Sequence, residues 1–281
     1  MASTYLNCYN IAEVVRYDLN EYSTALMQAS DTTGAFQNSQ IIQKINQAQS
    51  FIWNVLFSQF PELFLKSASN SFSASAATLP WDLYRIKRVE NSDKVKIDPI
   101  TVDGKHVYSD SGSEYTYYRY GNTLRVDADG YSDTGTLWYY QKPRDITMGM
   151  SSAGAAISLT LATSAKAIAD YYNSMKIENI TDDWVDTITA YTAARVATIT
   201  NTGAASKYYG IISELPDAFH HLIPMKATIL CKSLPVSPIQ PSASEVADFQ
   251  ELLRETVKGY AGTSHSDVPI ESIINDFDPM F

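Results

Sequence analysis

The chain is poor in several things, and each shortage removes a class of function. Its 281 residues include two cysteines, Cys8 and Cys231, neither in a CxxC pair. A disulfide framework and a cysteine zinc site are therefore not expected, and both thiols read as buried and free. Lys and Arg number 21 against 31 Asp and Glu, a net charge of −10. Gripping nucleic acid requires clustered cations that displace counterions from phosphates. The densest basic stretch here, Arg85-Ile86-Lys87-Arg88, alternates along a predicted strand. No apolar run approaches the roughly 20 residues that span a bilayer, and no basic-then-apolar leader opens the chain, so neither a membrane partner nor secretion is expected. The four histidines are scattered: His220 and His221 are adjacent and diverge on a helix, while His106 and His265 stand alone. GxSxG, HExxH, GxGxxG and P-loop patterns are missing. No cofactor, no metal ligand set and no catalytic residue is predicted, and the chain is not expected to be an enzyme. Asp127-Ala128-Asp129-Gly130-Tyr131-Ser132-Asp133 opens like a calcium loop but lacks the distal glutamate, and a polar hairpin turn accounts for it equally.

What is present is 45% hydrophobic residues and 19 tyrosines, enough for a core and suited to half-buried strands and polar interfaces. Asn10 with Glu13 resembles a capping box, followed by an apolar stripe of Ile11, Val14, Val15, Leu19, Tyr22 and Leu26. A second helix from Asn38 or Ser39 carries Ile41, Ile45, Ala48, Ile52, Trp53 and Leu56 on one face and stops near Pro61. Residues 67–78, rich in Ser and Ala, read as a loop. From there the period becomes two: Leu83–Glu90, Lys94–Ile97, Glu114–Tyr120, Thr123–Val126 and Thr136–Gln141 are predicted strands, with a Gly121-Asn122 hairpin turn. Residues 148–156 and 202–206 have linker composition and bracket another period-two region. Helices return after Pro216, where Pro224 should kink the chain, and Ser242 with Glu245 caps a last helix.

The fold expected is α+β: a four-helix bundle (1–82 and 207–260), a projecting antiparallel β domain (83–147), an inserted β module (148–206) and an extended C-terminal arm (261–281). In the module, Tyr171, Tyr172, Trp184 and Tyr191 could form an aromatic platform for a glycan or a tail fibre, or else its core. In the arm, Phe277, Asp278, Pro279, Met280 and Phe281 carry apolar groups that no local period directs inward, which suits docking on a neighbouring subunit or another partner.

Two resemblances add to this. Asp170-Tyr171-Tyr172-Asn173-Ser174-Met175, followed by Thr187-Ile188-Thr189-Ala190-Tyr191, resembles a β module of tailed-phage structural proteins. The chain departs from it at Ser174, where glycine is usual, and at Thr181-Asp182-Asp183-Trp184, where a longer glycine-rich turn is usual. Ile45-Asn46-Gln47-Ala48-Gln49, Leu79-Pro80-Trp81-Asp82-Leu83, Leu137-Trp138-Tyr139-Tyr140-Gln141-Lys142-Pro143 and Leu215-Pro216-Asp217-Ala218-Phe219-His220, in that order, resemble the head–tail adaptor proteins of tailed bacteriophages. This resemblance implies a structural virion protein at the neck, assembled in the host cytoplasm. It implies a dodecameric ring beneath the portal that joins capsid to tail and continues the DNA channel. The implied partners are the portal, tail or tail-hub proteins, other copies of the chain, and genomic DNA that passes without sequence-specific contact. The alternative is a virion binding module whose β insertion holds a host glycan or a tail fibre.

Overall fold

The structure, a computed structural model, describes residues 6–21, 27, 35–101, 115–128, 130–235, 237 and 239–261. It divides into two compact units, Phe60–Lys142 and the combination of Met1–Gln59 with Pro143–Phe281.

The first unit is one sheet of seven strands: β1 (Leu65–Phe72), β2 (Ala76–Thr78), β3 (Leu83–Glu90), β4 (Lys96–Pro99), β5 (Thr116–Tyr120), β6 (Thr123–Val126) and β7 (Asp133–Gln141). Their order is β1-β7-β3-β4-β5-β6-β2. The two edge strands are consecutive in sequence and joined by a tight turn with a Ser73–Ala76 bridge, so the sheet nearly closes into a barrel. Closure removes exposed edges and encloses apolar side chains. Phe72, Leu79, Leu83, Val89, Ile97, Leu124, Val126 and Leu137 form that interior. All pairs are antiparallel except β4 with β5. The predicted β3 and β6 match the observed strands, and Gly121, at φ +58°, makes the turn between β5 and β6. β1 and β2 occupy the stretch expected to be a loop. β1 has no β-branched residue, yet pairs along its whole length with β7. Pairing, not intrinsic propensity, makes it a strand.

The second unit holds four helices among its described residues: α1 (Cys8–Asp18), α2 (Asn38–Gln59), α3 (Leu222–Lys232) and α4 (Ala243–Ala261). It also holds two antiparallel four-stranded sheets. Their strands are β8 (Met148–Met150), β9 (Ala153–Ala155), β10 (Ser158–Thr160), β11 (Lys176–Asn179), β12 (Trp184–Thr187), β13 (Ala190–Tyr191), β14 (Val196–Thr198) and β15 (Tyr208–Ile211). One sheet runs β13-β14-β10-β9 and the other β12-β11-β15-β8.

The expected four-helix bundle is therefore corrected to a mostly β protein of three sheets with four helices. α3 packs on α1, α2 and α4, but α1 also lies on β15 and β8. An amphipathic stripe states that a helix needs cover; it does not state whether a helix or a sheet supplies it. Residues expected to be a linker form β8 and β9, and residues 148–206 share a compact unit with the helices.

Local starts and stops explain the helices. α1 is capped by Asn7, whose side chain accepts from the Asn10 amide at 2.9 Å, three residues before the expected start. Asn7 also donates to Glu178 on β11 at 2.7 Å, pinning the helix to the sheet. Gly210 on β15 permits that approach, since a Cβ there would lie 2.3 Å from the Asn7 side-chain oxygen. Pro224 does not kink α3, because it is the third residue of the helix, where no amide is yet needed. Ser242 and Glu245 form the reciprocal capping box: the Ser242 amide donates to Glu245 at 2.8 Å, and the Glu245 amide donates to the Ser242 hydroxyl at 3.2 Å.

Candidate functional site

The densest polar construction of the second unit is built around a short extended segment, Arg144–Ile146, which follows Pro143. α2 holds it from one side. Asn46 donates to the Ile146 carbonyl at 2.9 Å and accepts from the Ile146 amide at 2.8 Å, satisfying both backbone groups of that residue. Gln49, buried one turn along, donates to the Arg144 carbonyl at 2.7 Å. Both residues lie in the Ile45–Gln49 motif.

Arg144 is 4% exposed. Its guanidinium forks onto Glu214, with Nε donating at 2.6 Å and Nη2 to the second oxygen. Nη1 donates to the Tyr171 carbonyl at 3.1 Å and the Asn173 carbonyl at 2.7 Å. A planar five-donor group is the side chain that satisfies a carboxylate and two carbonyls at once. Arg144 therefore ties the segment after Pro143 to the Tyr-Tyr-Asn turn and to the residue before Leu215. Sequence reasoning did not single out Arg144 or Glu214. The signal that was present is Gln49, a polar residue inside the apolar stripe of a helix, which requires a buried partner.

Tyr171, Tyr172 and Tyr191 come together as a cluster. Tyr172 meets Tyr171 edge-on at 4.8 Å and Tyr191 at 4.9 Å between ring centroids. All three are buried. Their hydroxyls bond backbone: Tyr171 accepts from the Asp145 amide at 2.9 Å, Tyr172 from the Lys166 amide at 3.3 Å, and Tyr191 donates to the Lys166 carbonyl at 2.7 Å. Burial pushes the Tyr171 and Tyr191 phenols up to about 12 and raises Tyr172 further. Trp184, the first residue of β12, is half-buried. Of the four platform residues, three are core and one is partly accessible.

An open cleft of about 660 Å³ lies beside this node, between α2 and the segments 145–147 and 164–166. Its lining is mostly uncharged and polar, including Gln43, Gln47, Ser50 and Asn54, with a Lys166–Asp145 ion pair at 2.7 Å.

The remaining candidates have structural occupations. Asp133 accepts from the Tyr131 hydroxyl at 2.8 Å and the Ser92 amide at 3.1 Å; its carboxyl is held down at about 2, chiefly by the Ser92 amide. Asp129 lies outside the described residues. His220 is buried and donates from Nε2 to the Leu215 carbonyl at 2.8 Å. Cys8 and Cys231 are buried and unpaired, the latter pushed up to about 12 by burial. Among the described residues no group of three or more His, Cys, Asp or Glu could hold a metal ion. His106, His265, Phe277, Asp278, Pro279, Met280 and Phe281 lie outside the described residues.

No protein-family model matches the chain, and no curated protein matches it in sequence.

Proposed function

We propose that the chain is a head–tail adaptor of a tailed bacteriophage, a non-catalytic subunit that forms a ring beneath the portal. In this reading the ring joins the DNA-filled capsid to the tail and continues its channel. The observation that supports the reading is that polar bonds run among the four resembling motifs and the residues directly beside them. Asn46 and Gln49 of the first hold the segment that follows Lys142-Pro143 of the third. In the second motif, Asp82 accepts from the Lys142 amide at 2.9 Å and from the Tyr139 hydroxyl at 3.1 Å. Arg144 pairs with Glu214, which precedes Leu215-Pro216 of the fourth.

The acidic charge of −10 supports a subunit that DNA passes without adhering. The proposed partners are the portal, a tail or tail-hub protein, and further copies in a closed ring of about twelve. No membrane partner is proposed, and among the described residues no helix is long and apolar enough to cross one. The proposed location is the virion neck. Electron cryomicroscopy of the parent virion, with antibody labelling of this chain, tests the reading. Ring density at the neck is the expected result; label on the capsid shell, on the fibres or nowhere overturns it. Burial of three tyrosines of the four-residue platform leaves the glycan- or fibre-binding alternative resting on Trp184, so no observation here favours it.

A further inference from the structure

β11 and β15 meet at a carboxylate that bonds two different nitrogens. Asn179 ends β11 and is fully buried. Lys207 is the residue before β15. Asn179 lies opposite Tyr209, so Lys207, two residues back, is its diagonal neighbour on the same face. Such neighbours stand about 7–8 Å apart, within reach of a long side chain. Asp182 spans the two, from the turn where the chain departs from the resembling module. The Lys207 ammonium donates to one Asp182 oxygen at 2.6 Å, and the Asn179 side-chain nitrogen donates to the other at 3.1 Å. The Asn179 side-chain oxygen accepts from the backbone amides of Thr181 and Asp182, each at 3.0 Å.

An asparagine that only closes a turn needs those two amides and nothing more. Here the other end of its side chain is held by a carboxylate that also holds a primary amine, and each part has a role in one reaction. Two amides on a carbonyl oxygen stabilise the negative charge that a nucleophile places there. A carboxylate bonded to both nitrogens can take a proton from one and return it to the other. A lysine amine is a nucleophile once deprotonated. Burial of Asn179 keeps water, the competing nucleophile, from its side-chain carbon. We propose that Lys207 and Asn179 join in an isopeptide bond. Asp182 takes a proton from the Lys207 ammonium, and the freed amine adds to Asn179 Cγ. The Cγ–Nδ2 bond then breaks as Asp182 returns the proton to Nδ2. One carbon–nitrogen bond forms and one breaks. Lys207 ends as a secondary amide, and the nitrogen of Asn179 leaves as ammonium with the two protons that the lysine gives up. The link closes a covalent loop over residues 180–206, which contain β12, β13 and β14, and it restricts the unfolded chain as a disulfide does. This chemistry needs neither a ring nor a portal, so it stands or falls apart from the adaptor reading.

The test is intact-mass spectrometry of the purified full chain, followed by tryptic mapping. The wild type should be lighter than its sequence by one ammonia. Its digest should contain a branched peptide joining 177–195 to 196–226, because an acylated Lys207 is no longer cut. Lys207→Arg keeps the ion pair but supplies no nucleophile, so it should have its full mass and release 177–195 unbranched. It should also melt below the wild type, since its loop is open. Asp182→Asn keeps both reacting groups without the proton carrier. It should retain the ammonia, and it carries the test if Lys207→Arg does not fold. A wild type of full mass after prolonged incubation overturns the inference. So does ammonia loss that persists in Lys207→Arg, because succinimide formation at another asparagine would then be its source. A branch at a residue other than Asn179 overturns it too, as does a link that forms as completely in Asp182→Asn as in the wild type.

Discussion

The unit Phe60–Lys142 and the remainder of the chain both bury apolar side chains, but only the remainder builds a charged, hydrogen-bonded node into its interior. The first encloses a contiguous apolar interior within one nearly closed sheet, and its ten Lys and Arg against eleven Asp and Glu leave it at −1. The second carries the other −9 and buries a large apolar set, including Ile11, Ile41, Ile52, Leu56 and Leu222, but sets within it a polar node in which Arg144 is bonded to a carboxylate and two carbonyls. An apolar interior degrades in proportion to the volume removed, and conservative swaps are tolerated. A buried polar node fails when one member is lost, because its partners keep their desolvation cost without their bonds. The contrast predicts where each unit is brittle.

The largest effect is expected at the node. Arg144→Ala removes the donors that Arg144 supplies to Glu214 and to the carbonyls of Tyr171 and Asn173, for a loss of about 3–5 kcal/mol. Arg144→Lys should recover little, since a point charge cannot reproduce the fork. Urea unfolding gives the magnitude. Hydrogen exchange gives the place, with amides of 143–146, 171–173 and 208–215 losing protection first and those of β3 and β7 keeping it. Equal loss in both units would mean that they unfold as one body and would break the comparison.

The mirror change is Leu137→Ala. Leu137 is fully buried on β7, in the centre of the sheet interior. Its truncation should cost about 2–5 kcal/mol, from lost transfer free energy and the cavity left behind. Exposure should be confined to amides of β1, β3 and β7. Leu137→Met should cost about 1.5 kcal/mol or less, whereas no comparable substitution rescues Arg144. A Leu137→Met variant as damaged as Leu137→Ala would sink the distinction.

The same contrast decides what could be read from the sequence. Period two predicted β6 with its observed ends, because alternation against an apolar interior is local; β3 also has its predicted ends, although two bulges space its inward Leu83, Ile86 and Val89 three residues apart. The helix pattern placed α2 correctly, and the Ser242–Glu245 box was visible from its spacing. What was not legible depends on distant partners. β1 is a strand because β7 lies beside it, and β8, of two methionines about a glycine, and β9, of small residues, exist because β15 and β10 pair with them. The four helical stripes suggested a bundle because nothing in a stripe names the sheet that covers it. The node was hidden for the same reason: Arg144 meets Glu214 across 70 residues. The three module tyrosines stood out in the sequence, but period two could not decide between platform and core, and the structure buries all three.

A smaller effect of opposite sign comes from Ser174. It stands where the resembling module has glycine, and it adopts φ +67° while donating its amide to the Ile188 carbonyl at 2.7 Å. The left-handed region costs an L-residue about 1–2 kcal/mol, less the extra chain entropy that glycine loses on folding. Ser174→Gly should therefore stabilise by up to about 1 kcal/mol, and Ser174→Val, which is β-branched, should destabilise. Thermal melts compare the three. A glycine variant less stable than the wild type would mean that the serine hydroxyl supplies something the described bonds do not include.

The smallest expected effect separates the units by acid. His220, in the helical unit, is buried, and desolvation holds its imidazole below the ordinary value of 6.5. Its unfolded form therefore takes up a proton at a pH where the folded form does not. Stability falls as pH drops below about 6.5 and keeps falling until the folded pKa is reached. Asp133, in the sheet unit, has the depressed carboxyl, at about 2 against an ordinary 3.8. Its contribution is complete above the unfolded value and is lost only as pH falls from there through about 2. Exposure to solvent screens that contribution, so it should be slight. Acid titration followed by hydrogen exchange should show amides near Leu215–Phe219 weakening first, with those around Ser92 and Thr134 holding until about pH 4. His220→Gln keeps a donor for the Leu215 carbonyl without the titration, and it should flatten the upper part of the profile while leaving the lower step in place. If the upper slope persists in that variant, His220 is not its source, and the order in which the two units yield to acid has another cause.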